Sequence, residues 1–216
     1  MAPRHDIYAF IHKGLRAFMS HALVHAGRLD AHDPVEVAEA RAEIGALLDI
    51  CEHHLHNESS VVHAALEQRA PGVTCAIDAD HAEHSSAIAR LRLLLAGLDG
   101  DAATASALYR ALAAFVAHNL EHMAVEESDM NIALWATHSD DEIRALEQRI
   151  VSGHTPEQMQ LAMRWMLPHM NPAERAEMLG GMRHAAPAPV FDGLLGSVRP
   201  LLGGRDWRKL SAALGL

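Results

Sequence analysis

His118-Asn119-Leu120-Glu121-His122-Met123-Ala124-Val125-Glu126 is the stretch on which the fold turns. Residues four apart share one face of an α-helix, so His118, His122 and Glu126 stand one above another. They continue an apolar stripe formed by Leu108, Leu112, Phe115, Met130 and Ala133, while Glu121 and Glu127 fall towards its edges. Ionisable groups on a face destined for the core are costly unless something compensates them. A metal ion does so in a single step, and imidazole together with carboxylate suits a first-row transition metal such as iron or zinc.

Three other helical stretches carry the same signature. One predicted helix runs from about Val35 to Gln68, with Ile44, Leu47, Leu48, Cys51, Leu55, Val62 and Leu66 as its apolar arc. His54 and Glu58, one turn apart, fall inside that arc. His53, His56 and His63 fall outside it and read as solvated, although His63 could reach the mouth of a site. In a helix from about Asp78 to Leu98, His84 sits near the centre of the arc set by Ile77, Ile88, Leu91, Leu95 and Leu98, with His81 near one edge. In a helix from about Ile7 to Leu29, His12 lies within the arc of Tyr8, Ile11, Leu15, Phe18, Met19 and Ala22, whereas His21 and His25 point away. The helix containing the opening stretch spans about Ala102 to Thr137. A lone inward histidine is ordinarily satisfied by a carbonyl or a carboxylate, but a His–Glu pair at i, i+4 on two facing helices lets them grip a metal between them.

Short connections, Asp30-Ala31-His32-Asp33-Pro34, Pro71-Gly72 and Asp99-Gly100-Asp101, join these helices. They predict an all-α, antiparallel four-helix bundle over residues 1–137. Ser139 with Glu142, Thr155-Pro156, and Asn171-Pro172 with Glu174 then mark further helix starts. Short helices near Val190–Leu202 and Asp206–Leu214 follow a turn at Ala185–Pro189. Residues 138–216 are thus expected to form a C-terminal helical extension, structural or serving a homo-oligomer. Its histidines, His154, His169 and His184, have no paired ligand spacing.

Composition narrows the function. Half the residues are apolar and only 4% are aromatic, which favours helices over sheet. A formal charge of −10 argues against nucleic acid or an anionic membrane as partner. Cys51 and Cys75 form no disulfide or zinc-ribbon pattern. With no signal-peptide core in MAPRHDIYAF and no apolar span of membrane length, a cytoplasmic protein is expected.

The ordered set of motifs resembles the hemerythrin-like family, also called the HHE cation-binding domain, over roughly residues 5–137. His12 in Ile-His-Lys-Gly-Leu-Arg matches the family's first-helix histidine. His54-Leu-His-Asn-Glu58, Asp80-His81-Ala-Glu-His84 and His122-Met-Ala-Val-Glu126-Glu127 match the other three. The resemblance implies a four-helix bundle around a non-heme di-iron centre, with Glu58 and Glu126 as bridging carboxylates. His12, His54, His81, His84 and His122 would be terminal ligands, with His118 as an additional inward imidazole that replaces or orients a ligand. It implies dioxygen, nitric oxide or peroxide as the small ligand, and a metal- or oxygen-binding protein rather than an enzyme. The chain departs from the family in three places. Val61-Val62-His63-Ala64-Ala65-Leu66 stands where an aromatic and a proline are common, Asn131-Ile132 replaces another common proline, and His81 and His84 are spaced i, i+3.

Two rival readings remain at this level. His118-Asn-Leu-Glu121-His122 fits the His-x-x-Glu-His text of inverted zinc peptidases, with Glu121 as base and Glu58 as a third ligand of a zinc-dependent hydrolase. A metal-free, His-rich helical interaction module is the other. Only the di-iron reading accounts for His12 and His81, and it requires His54, Glu58, His122 and Glu126 to converge on one interior point.

Overall fold

The computed structural model describes residues 4–185 and 187–216. The expected turn at 185–189 therefore falls partly outside the described residues. Among the described residues all regular structure is helical, and they form two compact units, residues 4–9 with 18–154, and residues 10–17 with 155–216. Helix α1 (Ala9–Arg28) is continuous and contributes to both.

In the first unit, α1 is followed by α2 (Pro34–Asn57), a π-helical segment (Glu58–His63) and α3 (Ala64–Arg69). Next come α4 (Cys75–Ala96), α5 (Ala102–Val125), a second π-helical segment (Glu126–Met130), α6 (Asn131–Thr137) and α7 (Asp140–Ser152). Local chemistry sets the starts. Asp6 Oδ1 accepts from the amides of Tyr8 and Ala9 at 3.0 and 3.1 Å. Asp33 accepts from Val35 with Pro34 in the first turn, and Asp101 accepts from Ala103 and Thr104. Ser139 and Glu142 form the reciprocal capping box expected of them. The turns need left-handed backbone at Gly72 (φ 86°) and Gly100 (φ 94°), which glycine adopts without steric cost.

Helix α4 packs against both α2 and α5. Along each of these three helices the same order recurs: a buried apolar run, a buried polar turn, then apolar residues again. On α2 the run is Ile44, Leu47, Leu48 and Cys51; on α4 it is Ile88, Leu91 and Leu95; on α5 it is Leu108, Leu112 and Phe115. Beyond the polar turn, Ile7, Tyr8, Val62, Leu66, Ile77, Met130, Leu134, Ile143 and Leu146 make one buried cluster, which brings α7 onto this unit. The polar turns are therefore sealed between apolar layers, where charge is poorly solvated.

His25 corrects the sequence reading. It is buried, not outward, and its Nδ1 lies 3.0 Å from Glu43 Oε1. The apolar stripe of α1 continues one turn further than Ala22, and position 25, seven residues after Phe18, returns to the same face. His21 is exposed as expected and meets the other oxygen of Glu43 at 3.1 Å.

The second unit contains α8 (Pro156–His169), α9 (Pro172–Ala185), α10 (Ala188–Val198), a 3₁₀ turn (Arg199–Leu201) and α11 (Gly204–Leu214). Thr155 and Gln158 form a second capping box, and Asn171 Oδ1 accepts from the amides of Ala173 and Glu174. Its core is Met163, Leu167, Met170, Leu179, Phe191, Val198, Leu202 and Leu210. Buried Arg175 donates to the Met170 carbonyl at 3.0 Å and pairs with Asp206 at 3.2 Å. No helix among the described residues is long and apolar enough to cross a membrane.

Candidate metal centre

The polar turns of α2 and α5 are His-x-x-x-Glu steps that lead directly into π-helical segments. His54 and Glu58 end α2 and open the first segment; His122 and Glu126 end α5 and open the second. Both carboxylates are buried, Glu126 completely. π-Turns recur at functional sites because the inserted residue re-aims the side chains that follow.

The side chains converge. His54 Nε2 lies 3.1 Å from Glu58 Oε1, and His122 Nε2 lies 3.3 Å from Glu126 Oε1. His81 Nε2, from α4, is 3.6 Å from Glu58 Oε2, 3.8 Å from Glu126 Oε1 and 3.2 Å from His122 Nε2. Two groups that contain carboxylates of both π-segments could each hold a cation, with one ligand atom per residue, all within 4.8 Å of one another: His12, His54, Glu58 and Glu126, and Glu58, His81, His122 and Glu126; His63, Asp78 and His81 form a third. The two groups share both carboxylates. Six of the eight residues singled out in the sequence thus come together. His84 and His118 sit apart from these groups, their rings edge-on with centroids 4.7 Å apart, and His84 also lies 4.7 Å from His122.

Surrounding groups orient the imidazoles. Ser59 Oγ hydrogen-bonds His81 Nδ1 at 2.9 Å, and Asp80 lies 3.4 Å from His122 Nδ1. With the outer nitrogens so engaged, the Nε2 atoms are left for the interior, which is how outer partners set the tautomer of metal-binding histidines. Asn131 is fully buried; its amide donates to Asp6 at 2.9 Å and to the Glu127 carbonyl at 3.2 Å. It ties the start of α1 to the end of the second π-segment.

Two residues of this neighbourhood were not seen in the sequence as site residues. His63, read as solvated, is buried at 2% exposure, because the π-turn spanning Glu58–His63 changes the phase of the helix. In an unbroken α-helix, residues five apart lie about 140° apart around the axis; in a π-turn, residue five returns to nearly the same side. Tyr8, read only as an apolar stripe residue, is buried within reach of both carboxylates' charge; burial first, then Glu126 and Glu58, raise its phenol well above its ordinary range. His53 and His56 are exposed as expected, as is Glu121. An exposed Glu121 removes the base that the zinc-hydrolase reading needs inside the site.

The electrostatics are those of a cation site. Burial raises the Glu58 carboxyl well above its usual range, and the charge and hydrogen bond of Glu126 add to this. Two buried carboxylates so close cannot both ionise without a cation. Burial works against charging His122, but Glu126 and Asp80 outweigh it and raise its pKa. Burial lowers His63, partly offset by its hydrogen bond to Asp78, and it lies near enough to Glu126 to feel that charge. The fit of a metal rests on the donor set: imidazoles and carboxylates converging in the two groups are the nitrogen and oxygen donors a first-row transition metal takes, and beside them neither ring nitrogen of buried His84 nor Nε2 of His63 has a hydrogen-bond partner. Buried polar atoms are rarely left so.

Without metal, burial and the neighbouring His122, His118 and His81 push His84 down to about 3 from 6.5. The unfolded chain then takes up a proton at this residue before the folded protein does. Its contribution to stability is full above pH 6.5 and is lost as pH falls from 6.5 towards 3. Replacing His84 with leucine is expected to flatten the acid limb of metal-free stability by up to one proton, about 1.4 kcal/mol per pH unit. Urea unfolding at stepped pH reads this slope, and a slope equal to wild type contradicts the assignment.

Buried imidazoles and carboxylates brought from separate helices to one point characterise a cation-binding helical protein. The chain belongs to the hemerythrin HHE cation-binding domain family, whose model matches residues 5–134. No curated protein and no solved structure matches it significantly.

Proposed function

We propose that the protein holds two metal ions, iron by preference over zinc, in a carboxylate-bridged centre that binds dioxygen, nitric oxide or peroxide, for sensing, carriage or iron and redox handling. One observation carries the reading: the two four-residue groups share Glu58 and Glu126. Each ion would have two imidazoles of its own, His12 and His54 for one, His81 and His122 for the other, and both carboxylates in common. Oxygen and imidazole donors suit iron, whereas a single structural zinc would need only four ligands in all.

Such a pair of ions supplies one-electron chemistry and a coordination position for a small ligand. The chain's own residues set the conditions. Ser59 and Asp80 keep the Nε2 atoms of His81 and His122 available as donors. Glu58 and Glu126 give up the proton they otherwise share, so loading releases protons and weakens on acidification. The apolar layers formed by Leu112, Phe115, Val62 and Met130 exclude water from the centre. In the second unit and at its border, the remaining histidines are already engaged. His154, His169 and His184 each bond the carbonyl four residues earlier, at 2.7 Å. We propose a structural or oligomer-forming role for that part, separate from the site chemistry, within a cytoplasmic protein.

The test is anaerobic reconstitution with ferrous iron, followed by elemental analysis and an absorption spectrum before and after air. Two iron ions per chain and a new near-ultraviolet or visible band on exposure to air are expected. Fewer than one ion per chain, or melting that ignores chelator, would favour the metal-free interaction module.

A further inference from the structure

The family pattern does not account for His63, nor does the four-helix ligand set. Its ring is buried, and Nδ1 lies 2.7 Å from Asp78 Oδ1. The second oxygen of Asp78 accepts from buried Thr74 Oγ1 at 2.7 Å, and Thr74 in turn is 2.8 Å from Glu67 Oε1. A carboxylate is an acceptor only, so the proton of His63 is fixed on Nδ1 and Nε2 carries a bare lone pair. That Nε2 is enclosed and has no hydrogen-bond partner. The ring stacks on His81, with centroids 4.8 Å apart and planes 26° apart. His63, Asp78 and His81 also form a cluster whose ligand atoms lie within 4.8 Å of one another. A buried imidazole with a carboxylate behind it and a naked nitrogen in front has the form of a metal-binding histidine. The π-turn delivers it there: residue 63 follows the bridging Glu58 by five positions, the span of that turn's backbone hydrogen bond.

We infer that His63 is a further nitrogen donor of the centre, supplied to the ion that His81 and His122 hold and positioned by Asp78; this rests on the dinuclear reading above. The donor closes a coordination position on that ion and makes the two positions unequal. The ion at His81 is the more nitrogen-rich, and the ion at His12 and His54 is the one left open to a small ligand.

His63→Phe tests this, since phenylalanine keeps the ring that stacks on His81 and removes the nitrogen. Asp78→Asn keeps the imidazole but lets the amide donate to Nδ1, which moves the proton to Nε2. Wild type and both variants are titrated anaerobically with ferrous iron against a chromophoric chelator, and X-ray absorption counts the imidazoles on the bound iron. In His63→Phe, one of the two ions is expected to weaken by at least about tenfold, with a lower imidazole count. Asp78→Asn is expected to weaken the same ion by a smaller factor. A purely structural role for His63 would lower the melting temperature without changing the imidazole count, and that result overturns the inference. So do two ions bound equally tightly by wild type and both variants, which leaves the dinuclear reading standing. Wild type holding fewer than two ions overturns both. If His63→Phe does not fold, Asp78→Asn decides alone, by the same affinity and the same count.

Discussion

Glu126→Leu is expected to strip the protein of metal, taking it from two ions per chain to at most one weakly held ion after ferrous reconstitution. Glu126 is fully buried and belongs to both four-residue groups. Its loss therefore removes a donor from each position and the bridge between them, whereas loss of His54 or His122 would remove one donor from one position. The substitution has a second signature of opposite sign. In the metal-free protein Glu126 raises the Glu58 carboxyl by its charge and hydrogen bond. Taking it away relieves a like-charge pair in a site that solvates charge poorly. Metal-free Glu126→Leu should melt at or above the temperature of metal-free wild type, yet gain nothing from iron. Elemental analysis and paired melting curves with and without ferrous iron read both effects. A variant that retains two ions, or that iron stabilises as it does wild type, contradicts the bridging role.

The second large effect is that of metal on stability. Ions present at about a thousand times their dissociation constant add roughly 4 kcal/mol to the folded state. About 1 kcal/mol shifts the midpoint of a domain of this size by about 2–4 °C. Removing metal with chelator should therefore lower the melting temperature by about 10 °C or more, and ferrous iron should restore it. The drop should shrink as pH falls, because protons compete for the imidazoles and carboxylates that the ions need and the metal then stabilises the fold less. An unchanged melting temperature after verified metal removal contradicts a centre that holds the bundle together.

Much of this architecture was legible because its signals are local and periodic. Leu108, Leu112, Phe115, His122 and Glu126 mark one helix face by spacing alone, and Ser139 with Glu142, Thr155 with Pro156, and Asn171 with Glu174 announce helix starts through capping chemistry. The convergence of His54, Glu58, His122 and Glu126 follows from assigning each to an inward face, and His81 joins them from near the edge of its own arc. What stayed hidden depends on departures from the α-helical repeat or on distant partners. A constant α-helical phase puts His63 outside the apolar arc, and nothing in Glu58-Ser-Ser-Val-Val-His63 marks the inserted residue of a π-turn. A histidine within the stretch 61–66, where an aromatic and a proline are expected from the family resemblance, was the one available signal. His25 was misplaced because the stripe on α1 outlasts Ala22 and because Glu43, eighteen positions away, supplies its partner. Tyr8 looked like any stripe aromatic; only the folded chain brings both carboxylates close enough to act on it. His84 and His118 lie on inward faces, as their spacing predicted, yet a shared face does not fix depth, and they sit beside His122 and not within the two carboxylate-sharing groups.

Anomalous diffraction at the iron edge, from crystals of the ferrous-reconstituted protein, tests the dinuclear centre most directly. The account predicts two peaks about 3.5–4 Å apart, both within bonding reach of Glu58 and Glu126, one beside His12 and His54 and the other beside His81 and His122. A single peak, or iron bound away from those two carboxylates, would contradict it.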